Sequence, residues 1–129
     1  MKIKLIFAIV LAFCVLGVQA QTKISDEDKA AITSTALDYI EGWYEGSAER
    51  MERALHPDLA KRIVRTNDKG QSGLGQMSAL GLVQGVKRGG GKDTPKERQQ
   101  KDVTILDVYE NAASVKIVAS DWIDYLHVA

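Results

Sequence analysis

Near the carboxyl end of this 129-residue chain, "DWIDYLHV" sets two carboxylates, a tyrosine and one of the two histidines among Trp, Ile, Leu and Val. On an extended segment Trp122, Asp124, Leu126 and Val128 point one way, and Asp121, Ile123, Tyr125 and His127 the other. Asp124, set between Trp122 and Leu126, is the first candidate for chemistry. Buried beside apolar groups, its carboxyl would have a raised pKa and could act as a general acid or base. If a lysine or arginine meets it instead, it is an ion pair, since structural networks also perturb carboxylates. His127 is the second candidate, as a catalytic partner to Asp124 facing an interior pocket.

His56 is the other histidine. With His127 and either Asp124 or Asp58 it would complete a two-histidine, one-carboxylate metal set. The spacing argues against that, because the residues are distant singles with no short ligand repeat. Next to Pro57, His56 is better suited to bonding the backbone at a helix end. No metal and no cofactor is therefore expected. Tyr39, Trp43, Tyr44 and Trp122 hold most of the aromatic area; with Met77 and Tyr125 they are the candidate ligand-binding residues. Tyr39 and Trp43 lie at helical spacing, which suits a core, yet buried O–H and N–H groups need partners. A flat heteroaromatic ligand could stack among them. Two other motifs fail. "VKRGGGKD" has Val86 where a phosphate-binding loop needs glycine and Asp93 where it needs Ser or Thr. "GQSGL" lacks the last glycine of a nucleophile elbow.

The elements that must position these groups are readable. Ser25 precedes three acidic residues, an N-cap followed by charges that favour the positive end of a helix. Ile32, Ala36, Tyr39, Ile40 and Trp43 then mark one helical face, widened by Leu37 and Tyr44. Gly46 stands where a helix stops. Ser47 can cap a short second helix with Met51, Ala54 and Leu55 on its apolar side, ended before Pro57. Lys61 to Thr66 is β-prone, and its Lys61, Arg62 and Arg65 read as a solvated strand side. "NDKG" is a turn signal. "QMSALGLVQGV", from Gln76 to Val86, reads as a helix weakened by Gly81 and Gly85. "KRGGGKDTPK" reads as a mobile loop. Val103, Ile105 and the Asp107-Val108 pair, the turn "YENAA", then Val115, Ile117 and Ala119 make an antiparallel hairpin. Its second strand is expected to continue through Trp122 to Val128 over a bulge or bend near Ser120 and Asp121. Helices followed by hairpin strands is the α+β pattern.

The start of the chain stands apart. Lys2 and Lys4 precede an apolar run from Leu5 to Val18, and Val18-Gln19-Ala20 is a small-residue cleavage pattern. That is the layout of a signal peptide, residues 1–20. The run is shorter than the roughly 20 residues that cross a bilayer. A periplasmic or secreted location follows as an expectation, with no membrane contact in the mature form. Loss of residues 1–20 removes the single cysteine, Cys14, and with Lys2 and Lys4 turns an even balance of 17 basic and 17 acidic residues slightly acidic. A domain over 21–129 must then stand without disulfides. It also lacks the basic excess of a nucleic-acid binder.

The blocks "ALDYIEGWYEGSAERMERALHPDLAKR", "QMSALGLVQGV" and "AASVKIVASDWIDYLHV" resemble, in order and spacing, the Putative lumazine-binding family of the nuclear transport factor 2-like superfamily. The resemblance runs from about Asp26 to Val128. It implies a cone with a strongly curved antiparallel sheet wrapped around the first helix, a pocket between them, and pairing of two copies through the sheet. It also implies a small-molecule binder without catalytic function, or alternatively an isomerase, dehydratase or cyclase using an aspartate base. In similar proteins a turn and one more strand follow the "DYLHV" block. Its absence here leads to the expectation of a chain lacking its last strand, with an exposed edge that lowers stability or promotes self-association.

Overall fold

The computed structural model describes residues 24–129. The signal-peptide expectation for residues 1–20 lies outside them. The described chain runs α1 (Asp26–Glu45), α2 (Ala48–Ala54), β1 (Ala60–Thr66), β2 (Ser72–Ser78), α3 (Ala79–Lys87), a short 3-10 turn (Lys96–Arg98), β3 (Asp102–Tyr109), β4 (Ala112–Val118) and β5 (Ile123–Val128). This is an α+β arrangement, helices at the N-terminal side packed with antiparallel sheets, consistent with the nuclear transport factor 2-like cone.

Helix α1 starts where Ser25 accepts a hydrogen bond from the Asp28 amide and stops at Gly46, whose φ of 69° few other residues adopt at little cost. Ser47 then accepts from the Arg50 amide, and α2 begins without a linker. Each such cap is worth about 1 kcal/mol. Ala36, Tyr39, Ile40 and Tyr44 of α1 join Met51, Leu82, Val83, Val86, Val115 and Ile117 in one core. Burying each of the larger aliphatic side chains contributes about 1.5–3 kcal/mol.

Two segments differ from the sequence expectation. Gln76 to Ser78 belong to β2, and the helix begins only at Ala79, where the Ser78 hydroxyl caps the Gly81 amide. The strand expected to run from Val115 to Val128 is two strands. After Val118 the chain reverses, with the Ala119 amide bonded to the Trp122 carbonyl, and β5 returns antiparallel to β4 with Ile117 opposite Asp124. The irregular Ser120-Asp121 stretch is this turn, since two acceptor-rich short side chains favour reversal over a bulge. A real bulge sits earlier, in β3 between Ile105 and Asp107.

The sheet is also not continuous. Among the described residues β1 pairs only with β2, while β3, β4 and β5 form a second sheet in that order. The gap between β1 and β5 is where the side chains of interest meet.

The α1–α2 corner is held by charge. Arg50 bonds Asp38, Glu41 and Glu45, Arg53 bonds Asp38 and Glu49, and Lys101 reaches Glu41 from the start of β3. The Arg53 hydrogen bond, with help from Arg50 and against partial desolvation, holds Asp38 below its ordinary 3.8. Lys101, and then Arg50, do the same for Glu41 against its ordinary 4.5. Depressed carboxyl pKa values stabilise the fold above the unfolded-state values and lose that contribution as pH falls through the folded ones. Acid unfolding below about pH 4 is therefore expected to begin at this corner. In Arg50→Ala the stability difference from wild type is expected to shrink between pH 6 and pH 3, as measured by urea titration at each pH.

Candidate functional site

Position along β5 decides which groups can cooperate. Its burial alternates, with Asp124, Leu126 and Val128 turned inward and Ile123, Tyr125 and His127 outward. Asp124 therefore faces α1. Its Oδ2 accepts from the Tyr39 hydroxyl at 2.7 Å, from Lys61 Nζ at 2.6 Å and from Trp122 Nε1 at 3.1 Å. All three donors converge on one oxygen, and among the described residues Oδ1 accepts no hydrogen bond. Lys61 also bonds the Tyr39 hydroxyl at 2.6 Å and lies 5.3 Å from the centre of that ring. Burial, and then the Asp124 charge, push the Tyr39 hydroxyl well above the usual phenol range. Tyr39 is thus a proton donor to Asp124.

Lys61 was missed as a site residue. Reading it with Arg62 and Arg65 as one solvated side ignored the alternation of β1, in which Lys61 and Ile63 are the half-buried positions. Its side chain is 19% exposed and that of Asp124 17%. A lysine two places before a β-branched residue, in a strand able to face an isolated aspartate, was the available signal.

Trp43 and Trp122 meet edge to face, their ring centres 6.2 Å apart. The glycine loop expected to be mobile is folded over Trp43. The Gly91 amide donates to the Trp43 carbonyl, and Gly90, at φ 51°, bonds back to the Gly85 carbonyl. A Cβ on Gly91 would lie 2.3 Å from Trp43 Nε1. Side-chain absence, rather than chain freedom, is what this glycine supplies.

Tyr39, Trp43, Lys61, Met77, Trp122 and Asp124 line one open cleft of about 710 Å³ between β1 and the β4–β5 turn. The other sequence candidates lie elsewhere. Tyr125 is 69% exposed and His127 is exposed on the outer face of β5. The alternation separates His127 from Asp124, so the pair suggested for catalysis is not formed. Tyr44 is buried with both hydrogen-bonding capacities used, donating to the Gln100 carbonyl and accepting from the Ser120 amide. It ties α1 to the approach to β3 and to the β4–β5 turn instead of offering a ligand contact. Tyr44→Phe is expected to cost about 1 kcal/mol by chemical denaturation, because the Ser120 amide and the Gln100 carbonyl, both in part-buried hydrogen bonds, lose a partner. His56 Nδ1 accepts from the Asp58 amide. Among the described residues no group of three His, Cys, Asp or Glu could hold a metal ion, and no helix is long and apolar enough to cross a membrane.

The architecture and this cleft define an α+β domain with an aromatic-walled, partly polar hollow beside its first helix. A family model described as Putative lumazine-binding matches residues 27–129, and the chain belongs to that family. No curated protein and no solved structure matches the chain.

Proposed function

We propose that this is an exported, non-catalytic small-molecule-binding protein whose ligand is a flat heteroaromatic held in the cleft of Tyr39, Trp43, Met77 and Trp122. The observation that carries the reading is the unused Oδ1 of Asp124. Asp124 lines a hollow with aromatic walls, and its other oxygen is fixed by three donors. A ring N–H of a lumazine-like compound can donate to Oδ1 while its face stacks on an indole. Binding without turnover is supported by the engagement of Asp124 with Lys61, which occupies the cleft's candidate base, and by the outward position of His127. Export rests on the charged, apolar and small-residue succession of residues 1–20.

Pairing of two copies through the second sheet is supported by its outer face, where Ile123 and Tyr125 are exposed opposite Val118 and Lys116. Sedimentation velocity is expected to show a concentration-dependent dimer that Tyr125→Lys abolishes.

Native mass spectrometry of the full-length protein from its own host is expected to show a retained small molecule. Calorimetric titration with lumazine is expected to be saturable, and to weaken about tenfold or more in Asp124→Asn, where a charge-assisted hydrogen bond is lost. An empty protein that gives no heat with lumazine would defeat the proposal. So would turnover of a lumazine-like compound that Asp124→Asn stops, which favours an isomerase-like or dehydratase-like enzyme.

A further inference from the structure

Strand β2 has glycine at two alternate positions, Gly73 and Gly75, which pair opposite Arg65 and Ile63 of β1. Residues directly opposite each other in an antiparallel pair present their side chains on one face. Here it is the face of Lys61, Ile63 and Met77, the half-buried positions of the hairpin that line the aromatic cleft. Glycine weakens a strand, and within one it marks a bulge, a tight bend, or a place where a ligand or another backbone comes close. The β1–β2 register runs unbroken from Ala60↔Ser78 to Thr66↔Ser72, so there is no bulge. Neither glycine has a positive φ that would require it. A Cβ on Gly73 would meet nothing within 4 Å, and one on Gly75 would make only ordinary contacts with Ile63. What the two glycines supply is a floor free of side chains beside Arg65.

Arg65 is a cation without a counter-charge. It lines the cleft with Lys61 and Ile63, and among the described residues it makes no ion pair. The two carboxylates of the cleft are engaged elsewhere, Asp124 with Lys61 and Asp121 with the Ser120 hydroxyl. We propose that the ligand of the cleft carries an anionic group, a phosphate or a carboxylate, on a side chain that lies over Gly75 and Gly73 and ends at the Arg65 guanidinium. The anion depends on the heteroaromatic reading of the cleft and adds to it. A guanidinium meets either group with two parallel N–H bonds. Lys61 and Arg65 are four residues apart, about 13 Å along a strand, farther than a bicyclic ring held at Asp124 extends. The anion therefore hangs on a chain and is not a substituent placed directly on the ring.

Calorimetric titration of the full chain at low ionic strength tests this with three probes: 8-ribityllumazine, its 5′-phosphate, and the analogue whose chain ends in a carboxylate. At least one charged probe is expected to bind about tenfold more tightly than the neutral one, with the gain shrinking as salt is added. A gain from one anion alone identifies which of the two the site takes. Arg65→Gln is expected to remove the gain and leave the affinity for the neutral probe unchanged. Gly73→Val suits a strand but fills the space beside Arg65, and is expected to do the same. Arg62→Gln makes the same charge change at an alternate position of β1 and is expected to keep the gain. If the neutral probe binds and neither anion improves on it, or if Arg62→Gln loses the gain as fully as Arg65→Gln, the anion site is overturned and the heteroaromatic reading stands. If none of the three binds, both are overturned.

Discussion

Gly91→Ala is expected to lower the unfolding midpoint by about 10 °C and to deform the aromatic cleft, although the change adds only one methyl group, at a buried position of a loop. The new Cβ would stand 2.3 Å from Trp43 Nε1 and 2.4 Å from its Cδ1. Neither side can step aside easily. The Gly91 amide is bonded to the Trp43 carbonyl, and the loop is further tied by Lys92 to Gly89 and Thr94 to Gly91. Trp43 is itself braced against Trp122. Forcing atoms into packed space costs about 1–3 kcal/mol, and each kcal/mol is worth about 4–8 °C in a domain of this size. Differential scanning calorimetry measures the shift. Gly89→Ala is a sharp comparison, since a Cβ there meets nothing within 4 Å. Its loss reflects only the strain of a φ of 120°, so it should leave the near-ultraviolet circular dichroism of the indoles unchanged while Gly91→Ala alters it.

Lys61→Met is the second large effect. Methionine keeps most of the aliphatic stem but removes the cation, leaving the Asp124 carboxylate with only Tyr39 and Trp122 as donors. Removing one partner from a half-buried pair is expected to cost about 1–3 kcal/mol, below the cost for fully buried pairs because both side chains retain some exposure. The double variant Lys61→Met/Asp124→Asn removes the charge but keeps an acceptor for the tyrosine and the indole. It is expected to recover most of the loss, giving a coupling of about 1–2 kcal/mol in a double-mutant cycle by urea unfolding. Equal losses in single and double variants would mean that the pair carries no net interaction. The same variants probe architecture, because this pair is the described side-chain bridge between β1 of the hairpin sheet and β5 of the other sheet.

Much of this was legible in the residues. The spacing of Ala36, Tyr39 and Ile40 set the buried face of α1. Ser25, Ser47 and Gly46 marked helix ends through local backbone chemistry, which does not need the rest of the chain. Asp124 stood out because an acid between Trp and Leu is costly unless something answers it. What answered it was not legible, since Lys61 is sixty-three residues away and looked like one of three surface cations. The β4–β5 reversal was hidden because apolar residues recur on both sides of Ser120-Asp121, from Val115 and Ile117 to Leu126 and Val128, and their recurrence does not say where a chain turns. Tyr44 was placed with the ligand contacts on ring type alone. Its real partners are two backbone groups brought close only by folding. The glycine loop failed for a related reason, because three glycines signal freedom in an isolated peptide but signal close approach once an indole lies against them.

The two tryptophans of the sequence are the two that meet across the cleft. All of the intrinsic indole fluorescence therefore originates at its walls, and none comes from a remote bystander. Edge-to-face rings at this separation also couple electronically, so a molecule slipping beside them would change both emission and the exciton pattern. The fold thus contains its own optical gauge, and compounds can be screened for occupancy without attaching a dye.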